Sequence, residues 1–159
     1  GAHFNPIVTL AFLLRGDLPI TRAGAFIAAQ IIGAIAGVIL THAMFDQTLF
    51  QLSQTPRSGG PLWVSEIFAS FGLLLIIFGG LAQNSKAIAT MVALYITGAY
   101  WFTASTSFAN PAVSIARALS DSFAGIYPAH VPMFILCQLI GMVLALWGVR
   151  AIFGRASSG

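Results

Sequence analysis

Two asparagine–proline pairs stand out as residues able to do chemistry on a solute. Asn5-Pro-Ile-Val-Thr-Leu-Ala and Asn110-Pro-Ala-Val-Ser-Ile-Ala repeat one another in type and order. Asparagine is a favoured N-cap and proline a favoured first helical residue, so Asn5-Pro6 and Asn110-Pro111 each mark the start of a helix. The side-chain oxygen of each asparagine can cap its own helix, which leaves its amide NH2 to donate elsewhere. A helix start also presents unpaired N–H groups and a partial positive charge. Two such starts facing one another would hold an oxygen acceptor and repel cations, protons included. Reaction chemistry has no comparable set. There is no Ser–His–Asp constellation, no cluster with metal-ligand spacing and no phosphate-cradling loop, so the sequence reads as no enzyme and calls for no cofactor or metal. Cys137 is the single cysteine, lies in an apolar run and reads as a packing residue.

The elements that position these pairs are set by composition. Hydrophobic residues make up 58% of the 159 and charged residues 7%, with a mean hydropathy of +0.91. A soluble domain carries about a quarter charged residues. The net charge of +3 is spread along the chain, forms no patch and argues against a nucleic-acid partner. Four apolar stretches, about 23–45, 62–82, 87–103 and 131–153, read as long enough to cross a lipid core of about 30 Å, which takes about 20 helical residues. Two more, about 5–14 and 110–119, give only about 14 Å of rise and reach half-way. The predicted class is an all-α membrane protein with two re-entrant half-helices, a single domain over residues 1–159.

The repeat extends beyond the half-helices. Phe26-Ile-Ala-Ala-Gln30-Ile-Ile-Gly33 matches Phe134-Ile-Leu-Cys-Gln138-Leu-Ile-Gly141 in the same order. Two matched blocks point to internal duplication. The second copy has two spans before its Asn-Pro and the first has none. If the copies are equivalent, two further spans precede Gly1. With the 15–22 loop in the cytoplasm, Arg15, Arg22, Lys86, Arg150 and Arg155 fall inside and Arg57 and Arg117 outside, as the positive-inside bias expects. The half-helices then enter from opposite faces as an inverted repeat. Irregular backbone at membrane depth is tolerated where it lines a cavity, so the two starts should meet near the midplane and border a path.

Glu66 is an acid within an apolar span and by default marks function. Gln30 and Gln138 read as polar glue beside the half-helices. His3 reads as a loop-packing histidine, and His42 and His130 as interfacial residues. Trp63, Trp101 and Trp147 suggest an aromatic belt.

Gly1-Ala-His-Phe-Asn5-Pro6-Ile7 and Thr106-Ser-Phe-Ala-Asn110-Pro111-Ala112 resemble the two NPA motifs of the aquaporin (major intrinsic protein) family, and Gln30, Gly33 and Glu66 fit the same pattern. The resemblance implies a six-span inverted-repeat bundle whose first two spans lie upstream, a homotetramer with one pore per subunit, and a Glu66 carboxylate that accepts hydrogen bonds from the loop backbone at residues 105–109. It also implies a selectivity filter. The family's arginine, three residues past the second asparagine, is replaced by Val113. Gly98 stands where water-selective members have histidine, and Ser107 takes a third filter position. Ile7 replaces the usual alanine of the first motif. Gly98, Ser107 and Val113 make a wide, weakly polar constriction, whereas Ser114 and Ala118 look more like the water-channel pattern. The expectation is a passive channel for water, glycerol and uncharged metalloid acids such as arsenous acid, in the cell (inner) membrane of a bacterium. Alternatives are a secondary transporter with broken helices, for which Glu66 is the sole intramembrane acid, and a non-conducting remnant.

Overall fold

The computed structural model describes residues 2–154; Gly1 and the expected cytoplasmic Arg155 lie outside the described residues. Its elements are α1 (Pro6–Leu14), α2 (Ile20–Met44), α3 (Gly60–Ala82), α4 (Ile88–Phe102), α5 (Pro111–Arg117), a 3-10 turn (Pro128–His130) and α6 (Val131–Phe153), with no strand among the described residues. Among the described residues, three helices are long and apolar enough to cross a membrane: Ile20–Met44, Gly60–Ala82 and Pro128–Phe153.

The expected span 87–103 is shorter than its hydropathy suggested. α4 holds 15 residues, a rise of about 22 Å against a core of about 30 Å. It stops because Thr103 turns extended, at φ −105° and ψ 139°, while its N–H still bonds Ala99 O. The second half-helix, expected over 110–119, also closes early, at Arg117. Ala118, Leu119 and Ser120 donate to the carbonyls of Ile115, Ala116 and Arg117. These are three-residue bonds that tighten a last turn. α1 ends differently: Gly16, at φ +85°, follows Arg15 in the left-handed region that glycine enters freely.

The described chain forms two compact units, one of residues 2–59 and 110–136, the other of residues 60–109 and 137–154. In the first, α2 packs against α5 and α1. Little of α2 is covered, and Ala23 and His42 are its buried residues. In the second, α3 packs on α4 and α6 through glycines. Tyr95 lies over Gly72 and donates its hydroxyl to Ala69 O at 3.1 Å. A Cβ on Gly141 would stand 2.4 Å from Ile67 O and 2.8 Å from Ser70 Cβ. The first of those atoms is backbone and cannot swing aside, so the small residue sets how closely the helices approach. Gly141→Val is expected to cost about 3 kcal/mol, at the upper end of overpacking effects. Gly148→Ala, whose new Cβ would meet Phe71 Cε2 at 3.5 Å, is expected to be nearly neutral. Thermal unfolding in detergent separates the two.

Candidate functional site

Each half-helix is started by its asparagine. Asn5 is extended at φ −150° and its Oδ1 accepts from Ile7 N at 3.1 Å. Asn110 is extended at φ −159°, and its Oδ1 accepts from Ala112 N at 3.0 Å and Val113 N at 3.4 Å. The two starts touch. Asn110 Nδ2 donates to Phe4 O, the carbonyl just before Asn5, at 3.0 Å. One amide hydrogen of Asn110 is therefore committed to the opposite half-helix rather than left to a solute. Pro6, Ile7, Pro111 and Ala112, which follow the asparagines, are buried. Beside Asn110 lies an open recess of about 240 Å³, bordered by Phe4, Gln30, Gly33, Asn110, Ala112 and Val113 among others.

α2 holds the first start in place. Gln30 Nε2 donates to His3 O at 2.8 Å and to Thr9 Oγ1 at 2.9 Å. The His3 ring packs against Phe12 and Phe26, with centroids 4.5 and 5.6 Å away. One glutamine thus ties the entering chain to α1.

In the other unit, the chain entering Asn110 is held by Glu66. This side chain is fully buried. Its Oε1 accepts from Phe108 N and its Oε2 from Ala109 N, both at 2.9 Å, and Gln138 Nε2 donates to Oε2 at 2.6 Å. Ser65 and Ser105 hydroxyls take the N–H groups of Ala104 and Ser107. The segment needs this many anchors. Thr106, Ser107 and Ala109 have φ of 60°, 50° and 45° without being glycine, a conformation that persists only where surroundings over-determine it. Of the expected filter residues, Gly98 lies near the end of α4, Ser107 is buried in this segment with its hydroxyl shielded, and Val113 is half-buried at the recess.

The sequence of residues 1–107 matches the family model described as Major intrinsic protein. The chain belongs to the major intrinsic protein family. It is an integral, multi-pass, all-α membrane protein of that family, whose members are channels and not enzymes. It is 49% identical over 146 residues to Aquaglyceroporin AqpS of Rhizobium meliloti (strain 1021), covering 92% of this chain and 63% of that protein. Aquaporin NIP1-1 of Zea mays is 29% identical, covering 96% of this chain and 55% of the relative. Mouse (Mus musculus) Aquaporin-6 is 34% identical, covering 91% and 51%. The chain therefore spans between half and two thirds of the length of these relatives.

This major intrinsic protein chain also carries a cluster the sequence did not advertise. Residues 53–57 run along the turns that follow α5. Ser53 N donates to Ala118 O at 2.9 Å, Tyr127 N to Thr55 O at 2.7 Å, and the Arg57 side chain to Gly125 O (Nε, 2.7 Å) and Phe123 O (Nη2, 2.8 Å). His130 Nδ1 accepts from Arg57 N at 3.1 Å. His42, expected at the interface, is 2% exposed. Its Nδ1 meets Leu49 O at 3.0 Å and its Nε2 meets Ser120 Oγ at 3.1 Å. The buried histidine pins two loops because the end of α2 lies between them. The available sequence signal was weak: a serine-, threonine- and proline-bearing stretch reads simply as loop.

Proposed function

We propose that this chain forms the pore-bearing part of a passive channel for small uncharged solutes: water, glycerol and metalloid acids such as arsenous acid. The observation that carries the reading is the bond from Asn110 Nδ2 to Phe4 O, which joins the starts of two half-helices beside an open recess. The partial positive ends of both helices then fall at one place and favour an oxygen acceptor over a cation. Asn5 and Asn110 act as the polar contacts. Glu66, Gln30, Gln138 and His3 hold the two entering segments. Gly98, Ser107 and Val113 are proposed as constriction residues from their positions relative to the second motif. A small, weakly polar set there favours partly apolar hydroxylated solutes over water alone. The aquaglyceroporin relative at 49% identity supports the same choice. The working form is proposed as a homotetramer in the inner membrane of a bacterium, with the whole of residues 1–159 inside one channel domain.

The test is swelling of vesicles carrying the full-length protein under water, glycerol and arsenous acid gradients, with Val113→Arg alongside. Wild type should admit all three. Val113→Arg places a long cation at the recess and should lower glycerol and arsenous acid entry by about tenfold or more while water flow persists. Rapid water flow with no solute entry, unchanged by the substitution, would contradict the constriction reading.

A further inference from the structure

Arg117 is the last residue of α5 and the first cation met along either half-helix from its asparagine. Residues four apart share a helix face, so Arg117 stands one turn, about 6 Å, beyond Val113 on the face that Val113 presents to the recess. It is half-buried, with its Nη1 shielded from solvent. A cation is also favoured at a helix C-terminus.

A second guanidinium reaches the same turn from a separate segment. Ile126 N donates to Arg117 O at 3.3 Å, and the two carbonyls that seat Arg57, Phe123 O and Gly125 O, lie just before Ile126. Arg57 is 8% exposed, and the bonds of Ser53 and Thr55 to the turns after α5 keep its segment from lifting away. Asp121, in the turns after α5, is exposed and accepts from Gln54 N at 2.8 Å.

We infer that Arg117, backed by Arg57, is the charge barrier of the path on this side, set one turn outside the constriction. This inference rests on the channel reading above. The placement separates two properties that one arginine at position 113 would couple. The recess stays wide because Val113 is short, while cations still meet a guanidinium before they reach the asparagines. Neutral solutes that accept hydrogen bonds lose nothing at that barrier.

Potassium leak and glycerol entry, measured on the same vesicles carrying the full-length protein, test the inference through their ratio, which a general loss of folded channel leaves unchanged. Arg117→Gln is expected to raise the potassium-to-glycerol ratio about tenfold, and Arg57→Gln by about threefold, as one electrostatic barrier is removed. Arg117→Lys should keep the wild-type ratio, because the charge remains. Val113→Arg combined with Arg117→Gln should restore potassium exclusion at the expense of glycerol entry. Wild-type ratios in both glutamine variants would overturn the inference and leave the channel reading standing. Wild-type vesicles that admit no more glycerol than protein-free ones would overturn both. If Arg117→Gln does not fold, Arg57→Gln alone decides: an unchanged ratio overturns the inference.

Discussion

Glu66→Ala is expected to destabilise the protein by about 4 kcal/mol and to abolish solute flux. The carboxylate serves three buried donors at once: Phe108 N, Ala109 N and Gln138 Nε2. Removing it strands all three, at roughly 1–3 kcal/mol for each donor left unsatisfied. Water entering the space left behind would recover part of that, which brings the sum to about 4 kcal/mol. The effect on flux is larger than stability alone accounts for. Ala109 is held at φ 45° and leads directly into Asn110, so releasing its N–H frees the backbone that aims the second half-helix. Glu66→Gln retains an oxygen for one backbone donor and turns an NH2 toward another, and should lose about 2 kcal/mol. Thermal unfolding in detergent ranks the variants, and glycerol entry into vesicles reads the pore. Glu66→Ala with wild-type unfolding and flux would refute the support role.

Asn110→Asp is expected to lower glycerol flux by about tenfold or more while leaving the helix start intact. An aspartate oxygen caps as well as an asparagine oxygen, so Ala112 N and Val113 N keep their acceptor. The loss falls on the other arm. Nδ2 becomes an oxygen facing Phe4 O across 3.0 Å, an acceptor opposite an acceptor, and the two starts are pushed apart. A negative charge also cancels the partial positive charge of the helix end, so cation leak should rise. Asn110→Ala loses the cap, worth about 1 kcal/mol, and the tie, but adds no charge; its flux should fall without the leak. Equal cation leak in Asn110→Asp and Asn110→Ala would argue against electrostatic exclusion at the asparagines.

The two helix starts were legible because their cause is local. An asparagine cap followed by proline needs no tertiary partner to specify where a helix begins. The ends were less legible. α5 closes through bonds made by Ala118, Leu119 and Ser120, none of which is a breaker by type. α4 ends where Thr103 turns extended, although apolar residues continue to that point. Glu66 could be singled out because a lone acid in an apolar span must find donors. Its direct bond to Gln138, 72 positions away, is a product of packing. The left-handed residues Thr106, Ser107 and Ala109 could not be read at all. Glycine is the usual signal for such backbone, and here tertiary hydrogen bonds impose it on residues that disfavour it. The burial of His42 and Arg57 was not legible for a related reason. At a span border, exposure depends on which loop folds over the residue, and that loop carries no periodic signal.

The central claim is that solute crosses passively through the path beside the joined half-helices. Uptake of labelled glycerol by vesicles carrying the full-length protein, followed across a wide range of external glycerol and then with the vesicles preloaded with unlabelled glycerol, tests it most directly. A channel gives uptake that rises linearly with concentration and shows no overshoot on preloading. Saturable uptake with transient accumulation of label against preloaded glycerol would identify a carrier and contradict the account.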